Sequence, residues 1–292
     1  MADANAELSE QFELHRSHLV GVAYCILGSL ADAEDVVQDA WLRLQRADAG
    51  AIRELRSWLT TVVGRLALDA LGSARSRREV YVGPWLPEPL VSGAADVPGP
   101  AERVTLDDSV SMALLVVLER LSPAERSAFL LHDVFGLEFR EVAEVVGRTP
   151  AAVRQLAARA RRHVEAGRPR FPASRDEQTE IVSAFAAACG EGDLDELLAL
   201  LDPEVVWRSD GGGKVQASRR PQRGAHRVAR AMLAFSVRPA RTGRLADVAG
   251  GPGLVLRDAD DVLTVMAFTL DAGRILAIDV VRNPDKLRHV AA

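Results

Sequence analysis

Apolar side chains recur every three or four positions through residues 7–78, which is the period of an amphipathic α-helix. This pattern predicts three helices. The first stops at Gly28, either Ser29 or Asp32 can cap the second, and the third covers residues 56–73. The front of the chain is therefore predicted to be an all-α unit.

Proline then interrupts the helical pattern. Residues 83–100 contain five prolines and few charges, and proline at that density disfavours helix and strand alike. The segment is therefore predicted to be a linker. It also carries Trp85, Leu86 and Leu90, apolar side chains that a purely flexible linker does not need, so we expect it to dock onto another surface.

A second helical unit is predicted over residues 102–167. It contains a short amphipathic helix at 137–146, a break at Gly147, and then Thr149 as N-cap with Pro150 at the first helical position. Two short helices joined by a glycine turn are typical of a helix-turn-helix. The polar face of the second helix carries side chains that could read bases or neutralise phosphates: Arg154, Gln155, Arg159, Arg161 and Arg162.

The local charge favours the same interpretation. The chain has a net charge of −5, but residues 148–170 hold seven arginines, beginning with Arg148, against the single carboxylate of Glu165. A basic segment within an acidic chain favours nucleic-acid binding. A solvated arginine-rich helix in an ordinary bundle would give the same pattern, so that alternative stays open.

The last part of the chain changes character. Residues 176–292 predict two helices and then strands with alternating, β-branched residues, which indicates a separate α+β domain. The predicted helices are 178–189 and 194–201, and the predicted strands are 204–208, 253–257, 261–270 and 274–281.

Length and composition set limits on the architecture and location. A chain of 292 residues that is 48% hydrophobic predicts two or three domains with sizeable cores. It has no apolar run long enough to span a membrane and no signal-peptide core at its start, so we expect a cytoplasmic protein. Cys25 and Cys189 are expected to be free thiols rather than disulfide or metal ligands, and no cofactor is expected.

Three stretches resemble the extracytoplasmic-function sigma factors. The core-polymerase-binding helix of that family resembles GSLADAEDVVQDAWLR at residues 28–43. Its helix that melts and reads the minus-ten promoter element resembles residues 56–69, and its domain for the minus-thirty-five element resembles LSPAER at 121–126 with the following helix-turn-helix.

Three further motifs resemble one subgroup of that family, with mycobacterial members, that carries a fused SnoaL-like C-terminal domain. They are WLPEP at residues 85–89, DGGGK at 210–214 and NPDKL at 283–287. The resemblance covers essentially the whole chain. It implies two all-α sigma domains, the second with the helix-turn-helix, followed by an α+β SnoaL-like cone domain. The expected boundaries are sigma domain two at 1–80, the linker at 81–104, sigma domain four at 105–168 and the SnoaL-like domain at 175–292.

The resemblance also implies partners, namely promoter DNA and core RNA polymerase, contacted at its β′ clamp helices and β flap; no membrane is expected. The acidic face of Asp35, Gln38 and Asp39 would meet the clamp helices, where opposite charge favours fast association. A solvated acidic face is the alternative. The cations expected to serve strand separation at the minus-ten element are Arg65, Arg75, Arg77 and Arg78.

The subgroup motifs suggest a regulatory contact within the chain. Three consecutive glycines fit a tight surface loop that presents Asp210 and Lys214, and Asn-Pro-Asp favours a turn that holds Lys286 at a corner. We therefore hypothesise that the C-terminal domain packs against the linker or the sigma domains and regulates in cis, as an anti-sigma protein does in trans. The residues expected in this contact are Trp85, Pro87, Glu88, Asp210, Gly211, Gly212, Gly213, Lys214, Asn283, Pro284, Asp285 and Lys286.

Two other functions fit parts of the pattern. The C-terminal domain could be an enzyme or a ligand sensor with an unknown small ligand in its pocket, and the helical part would then anchor it to DNA. The chain could also be a helix-turn-helix repressor, although a repressor has no use for an acidic polymerase-binding helix. The acid/base candidates are Trp207, Asp210, His226, Asp271 and Asp279. Surface or capping roles are the simpler interpretation of these residues, and no enzyme activity is expected.

Overall fold

The computed structural model describes residues 2–48, 52–92, 110–167, 173–236 and 242–290. These residues form two compact units. The first comprises the chain up to Glu79 together with Leu114–Gly167, and the second contains residues 80–92 and 173–290. The predicted linker therefore belongs, as far as Ser92, to the same unit as the C-terminal domain.

The first unit is all-α, as predicted. Ser29 rather than Asp32 caps the second helix, because its hydroxyl accepts a hydrogen bond from the Asp32 amide at 3.3 Å. The helices are α1 Ala2–Leu27, α2 Leu30–Leu44, α3 Leu55–Glu79, α4 Met112–Leu118, α5 Pro123–Phe129, α6 Phe139–Val146 and α7 Pro150–Gly167, with a π-helical turn at Leu130–Val134 after α5.

The helix-turn-helix is formed by α6 and α7. Gly147 ends α6 at φ +65°, a left-handed conformation that glycine adopts without strain. The Thr149 hydroxyl then accepts a hydrogen bond from the Ala152 amide at 3.2 Å and so caps α7. The start of α6 at Phe139 is two residues later than the pattern predicted, because Glu138 forms a capping box with Glu141.

Arg126 on α5 ties the two halves of the helical unit together. Its side chain is 2% exposed, and its guanidinium donates to the Cys25 carbonyl at 3.0 and 3.2 Å and forms an ion pair with Glu119. Close by, a Cβ added to Gly64 on α3 would lie 3.1 Å from the Leu131 side chain, which shows how tightly α3 packs here. A buried guanidinium with these partners fixes α5 against the end of α1.

The C-terminal domain is α+β, as predicted. The described strands of its sheet have the order β1-β4-β5-β6-β7-β2-β3, and among them β2 and β7 run parallel whereas the other neighbours are antiparallel. The strands are β1 Val91–Ser92, β2 Leu201–Asp210, β3 Gln222–Arg223, β4 Thr242–Val248, β5 Gly251–Arg257, β6 Leu263–Asp271 and β7 Arg274–Val281. The helices are α8 Arg175–Glu191, α9 Leu194–Leu200 and α10 Ala225–Ser236, whose apolar faces form a core with the sheet.

Several sequence expectations for this domain were incomplete. Helix α10 and strand β4 were not predicted, although the buried Val228, Ala229 and Met232 give α10 a helical period. Strand β4 has weak alternation because Gly243 and Arg244 interrupt it. The expectation that the proline-rich linker forms no strand was also wrong, since Val91 and Ser92 pair with β4.

We expect Arg126→Met to loosen the helical unit, because it removes both donors to the Cys25 carbonyl and leaves the Glu119 carboxylate without this partner. Loss of one partner of a buried ion pair costs about 3 kcal/mol or more. Hydrogen exchange in the peptides that carry α5 and the end of α1 should accelerate roughly a hundredfold, as that free energy implies. Arg120→Met, at an exposed neighbouring position, is the control. Equal exchange in the two variants would contradict this role of Arg126.

Candidate functional site

Asp210, at the end of β2, is a completely buried carboxylate. Its Oδ1 accepts hydrogen bonds from the Tyr81 hydroxyl at 2.6 Å and from the Gly212 amide at 3.0 Å. Its Oδ2 accepts from the Leu86 amide at 2.9 Å and from the Lys286 ammonium at 2.7 Å. Four donors on two oxygens compensate for the loss of hydration that burial imposes on a charged group.

Lys286 completes this cluster around the linker backbone. Its ammonium, 7% exposed, pairs with Asp210 and also donates to the Leu86 carbonyl. It lies 3.9 Å from the centre of the Trp85 ring and 5.2 Å from that of Tyr81. Cation–π contacts of this kind are strongest where water is excluded. The backbone of one linker residue, Leu86, is therefore held at both groups: its amide donates to Asp210, and its carbonyl accepts from Lys286.

The glycine loop brings the third motif into the same place. Gly212 has φ +60°, and a Cβ placed on it would lie 2.4 Å from the Asn283 side-chain nitrogen. That nitrogen donates to the Tyr81 hydroxyl at 2.8 Å. The side-chain oxygen Oδ1 of Asn283 accepts from the Asp285 amide at 3.1 Å and so caps a 3₁₀ turn, Pro284–Lys286. Glycine is thus required at position 212 by both its backbone angle and its close approach to Asn283.

The rest of the described linker is held along its length. His289 makes a 2.9 Å hydrogen bond with the Pro89 carbonyl, and the Ala249 amide donates to the Leu90 carbonyl at 2.7 Å. Strand β1 then continues the contact by pairing with β4. Pro87 and Glu88 are buried between these attachment points. We call residues 81–92 with Asp210, Asn283, Lys286 and His289 the linker clamp.

Two details of the sequence interpretation need correction. Asp210 and Lys286 were expected to project from a surface loop and a corner, but both are buried, because each compensates the other's charge. Lys214 is the exposed lysine, and it pairs with Asp285 near the surface. Hydrogen bonds from Lys214 and Arg288 lower the pKa of the Asp285 carboxyl.

Tyr81, His289 and strand β1 are parts of the clamp that the sequence interpretation missed. One signal was available for Tyr81, which is one of only two tyrosines and stands beside the proline-rich segment. Burial, followed by the hydrogen bond to Asp210, raises the pKa of the Tyr81 hydroxyl above its usual value of 10.0. The hydroxyl therefore stays protonated and can donate to the carboxylate.

The helical unit exposes the side chains expected to contact polymerase. Asp35, Gln38 and Asp39 are all exposed on one side of α2, opposite the buried Val36 and Val37.

The residues expected to contact DNA are only partly described. Arg65 is exposed on α3, whereas the side chains of Arg75, Arg77 and Arg78 lie outside the described part of the structure. On the helix-turn-helix, Arg159 pairs with Glu125 at 2.8 Å and Arg161 with Asp133 at 2.7 Å. The other candidates there are exposed: Arg148, Arg154, Gln155 and Arg162.

The acid/base candidates do not converge on one site in the described residues. Asp279 is 2% exposed and accepts both hydrogen bonds of the Arg208 guanidinium, while Asp210 belongs to the linker clamp. His226 is exposed, and Asp271 lies at the end of β6. Trp207 instead lines a cavity of about 360 Å³ in the C-terminal domain. Surface roles were therefore the wrong expectation for both Asp210 and Asp279.

Among the residues that the structure describes, no group of three or more histidine, cysteine, aspartate or glutamate side chains is placed to hold a metal ion. Among the described helices, none combines the length and the apolar character that crossing a membrane requires.

Comparison with known proteins identifies two family models in the helical unit. Residues 11–77 match Sigma-70 region 2, and residues 111–164 match Sigma-70 region 4. The chain is similar along nearly its full length to two proteins of Mycobacterium tuberculosis. It is 43% identical to the ECF RNA polymerase sigma factor SigJ, covering 96% of this chain and 93% of that protein. It is 38% identical to a probable ECF RNA polymerase sigma factor, SigI, covering 98% and 96%.

A solved structure extends this similarity to the whole fold. The crystal structure of Mycobacterium tuberculosis SigJ matches with a TM-score of 0.78 and 40% identity, covering 96% of this chain and 98% of that one. The predicted fold class, two helical sigma regions followed by an α+β SnoaL-like domain, is confirmed.

Substituting Gly212→Ala should open the linker clamp, because the new methyl group would overlap the Asn283 amide and alanine is strained at φ +60°. We expect faster hydrogen exchange and proteolysis of residues 81–92. Gly190→Ala is a matched control in the same domain, since Gly190 lies within α8 with nothing within 4 Å of the added Cβ. An unchanged linker in Gly212→Ala would show that the glycine loop does not position Asn283.

Alkaline pH should weaken the linker clamp through Tyr81. Because its pKa is raised in the folded state, its contribution to stability is complete below the usual value of 10.0 and is lost as pH rises through the folded value. Proteolysis of the linker should therefore accelerate above about pH 10. The Tyr81→Phe variant should be cleaved faster at pH 8 and should change less above pH 10. Parallel pH profiles in both proteins would contradict this assignment.

Proposed function

This chain belongs to the ECF RNA polymerase sigma factors, and we propose that its linker clamp is the device by which the C-terminal domain regulates it. Members of the family bind core RNA polymerase and direct promoter-specific transcription initiation, and this chain does the same. The observation that carries the regulatory proposal is the buried Asp210–Lys286 pair, which holds the backbone of the segment that connects the two sigma regions.

The exposed residues of the helical unit support specific contacts. We propose that Asp35, Gln38 and Asp39 bind the β′ clamp helices, that the region 4 unit contacts the β flap, and that the protein acts in the cytoplasm with its polymerase. Arg65, Arg75, Arg77 and Arg78 would contact the minus-ten element. The minus-thirty-five element would be read from α7, chiefly by Arg154 and Gln155, whose side chains are exposed.

Two of the α7 arginines would have to leave their present partners to bind DNA. Arg159 and Arg161 are paired with Glu125 and Asp133, at 45% and 38% side-chain exposure. Their partner carboxylates, Glu125 and Asp133, are only 17% and 23% exposed, and the hydrogen bond from Arg159 lowers the pKa of Glu125 to about 2. Exchange of these carboxylates for phosphate groups therefore has a cost that the DNA contacts would offset. We propose that these two arginines neutralise phosphates, while Arg148 and Arg162 add to the basic surface.

Linker length explains why holding residues 80–92 would matter. The positions of the two promoter elements imply about 85 Å of duplex between them, at about 3.4 Å per base pair. Even fully extended, residues 80–109 would span only about 100 Å, so little slack remains, and holding residues 80–92 in one fixed conformation would remove much of it. The clamp would therefore restrict how far regions 2 and 4 can separate, and its opening would favour promoter engagement.

The C-terminal domain is proposed to regulate rather than to catalyse. The cavity beside Trp207 is lined by small or apolar side chains and by five polar ones, with no carboxylate or histidine among its described lining residues. The polar ones are Ser209, Gln216, Ser218, Gln222 and Arg282. General acid–base catalysis needs a titratable group within hydrogen-bond reach of the substrate. A ligand sensor remains compatible with this cavity. We retain the four-segment division at 1–80, 81–104, 105–168 and 175–292 as a proposal, with residues 93–104 outside the described structure.

The two lysines of the chain provide a matched test of the clamp in the full-length protein. Lys286→Met leaves the Asp210 carboxylate buried without its counter-charge, which costs about 3–5 kcal/mol and should release the linker. Lys214→Met removes only an exposed ion pair with Asp285, worth less than about 1 kcal/mol. Both variants would be assayed with core polymerase by in vitro transcription at limiting sigma factor.

We expect Lys286→Met to raise initiation severalfold relative to both the wild type and Lys214→Met, because the free linker reaches both promoter elements more readily. A specific decrease would show that the held linker is the form that polymerase uses. Equal transcription by all three proteins, with the linker released in Lys286→Met as judged by proteolysis, would refute regulation through the clamp.

A further inference from the structure

The C-terminal domain contains a segment whose charge is opposite in sign to that of the whole chain. Residues 215–246 hold eight arginines and neither aspartate nor glutamate, whereas the chain has a net charge of −5. This excess of positive charge is larger than that of residues 148–170, which hold seven arginines against one glutamate. A basic segment within an acidic chain indicates a partner with negative charge.

Part of this charge lies on the exposed face of α10. Arg227 and Arg230 are exposed and lie one turn apart, on the side opposite the buried Val228, Ala229 and Met232. Like charges at this spacing repel each other, and a cation in the first turn of a helix, where Arg227 lies, is unfavourable with respect to the helix dipole. The stability of α10 therefore does not explain these two arginines.

Arginines from two other elements of the domain approach the same helix. A groove of about 520 Å³ beside the start of α10 is lined by cationic or titratable side chains from three elements: Arg223 of β3, His226 and Arg227 of α10, and Arg274 of β7. Its other described lining residues are apolar side chains or glycine, with no carboxylate among them. We call Arg223, Arg227, Arg230 and Arg274 the α10 basic face.

The charges of the α10 basic face are not neutralised by the rest of the described structure. All four arginines are exposed, and none of them forms an ion pair with a described residue. Five other arginines of the same domain do form one, each with an aspartate: Arg175, Arg208, Arg257, Arg282 and Arg288. The guanidinium groups of the face are therefore available to an external anion, and each can donate two parallel hydrogen bonds to one phosphate group.

We propose that the α10 basic face binds the phosphate backbone of double-stranded DNA without reading its sequence. Its arginines are spread over β3, α10 and β7, which suits a row of phosphate groups better than a single small anion. Duplex DNA carries one negative charge for about every 1.7 Å of its axis. It is also the polyanion that a sigma factor meets at every promoter. This contact is additional to those proposed for α3 and α7, and it does not depend on regulation by the linker clamp.

Two variants of the full-length protein with equal net charge test the proposal. The basic-face variant combines Arg223→Gln, Arg227→Gln and Arg230→Gln. The control variant removes the same charge from ion-paired positions of the same domain and combines Arg175→Gln, Arg257→Gln and Arg288→Gln. Fluorescence anisotropy measures the binding of wild type and variants to two labelled duplexes of unrelated sequence over a range of salt concentrations.

We expect the basic-face variant to bind both duplexes roughly tenfold or more weakly at moderate salt. The slope of log affinity against log salt should become shallower by about 3, since each lost phosphate contact removes about 0.9 from it. The control variant should keep the slope of the wild type. Because the substitutions remove repulsion on α10, thermal unfolding of the basic-face variant should occur at no lower temperature.

A second measurement locates the contact on the wild-type protein and so does not depend on the folding of a variant. Hydroxyphenylglyoxal modifies accessible arginine side chains, and mass spectrometry of the peptides reports the modification of each one. Duplex DNA should protect Arg227 and Arg230 severalfold. The modification of Arg175 and Arg257 should be the same with and without DNA. Core polymerase and ATP, each added without DNA, are the comparison probes for a protein partner and for a small anion.

Several results would overturn the proposal: the wild-type salt slope in the basic-face variant, an equal change in the control variant, or a loss of affinity for only one duplex. Protection of Arg227 and Arg230 by core polymerase but not by duplex would assign the face to a protein partner instead. Protection by ATP as complete as by duplex, at equal phosphate concentration, would assign it to a small anion. Neither measurement requires transcription, so this contact and regulation by the linker clamp can each fail without the other.

Discussion

The arrangement of the second unit depends on one buried carboxylate. Asp210 is withdrawn from water at the end of β2, and it is stable there only because an ammonium, a phenol and two backbone amides surround it. Two of those four donors, Tyr81 and Leu86, belong to the linker. Because the carboxylate is desolvated, removing any one partner leaves a buried charge that is poorly compensated. Loss of one contact therefore destabilises the whole cluster.

This dependence explains why the linker is part of a domain to which it is not adjacent in sequence. Asp210 and Lys286 hydrogen-bond to the Leu86 backbone, and His289 and Ala249 do so to the Pro89 and Leu90 carbonyls. The linker then ends in a strand that extends the sheet of the C-terminal domain. Proline suits such a segment, since Pro84, Pro87 and Pro89 have no amide hydrogen that would need a partner. The same composition that argues against regular structure therefore favours docking by a few specific contacts.

The sequence predicted local structure better than long-range contacts. Helical periodicity, the Ser29 and Thr149 caps and the Gly147 break follow from neighbouring residues, and the structure has them. The three subgroup motifs were recognised, but the burial of Asp210 was not predicted, because its partners are 76 and 129 positions away. Composition and periodicity carry no information about pairs at that separation.

Two kinds of feature could not have been anticipated from pattern alone. Strand β4 lacks clear alternation, and its place in the sheet is set by pairing with β5 and with the linker strand. The unpartnered Trp207 nitrogen depends on what the fold fails to place beside it among the described residues. Both are properties of tertiary packing, to which local preference contributes little.

The second unit is built from two separate segments of the chain, which affects any attempt to move its C-terminal domain into another protein. A transplant of residues 173–290 into another sigma factor would carry Asp210 and Lys286 but not the segment they bind, and the recipient would gain a domain with a vacant, charged recess. The segment that can be exchanged as a working part is residues 80–92 together with 173–290. Recombination or design that respects the domain boundary alone would separate the two halves of one structural unit.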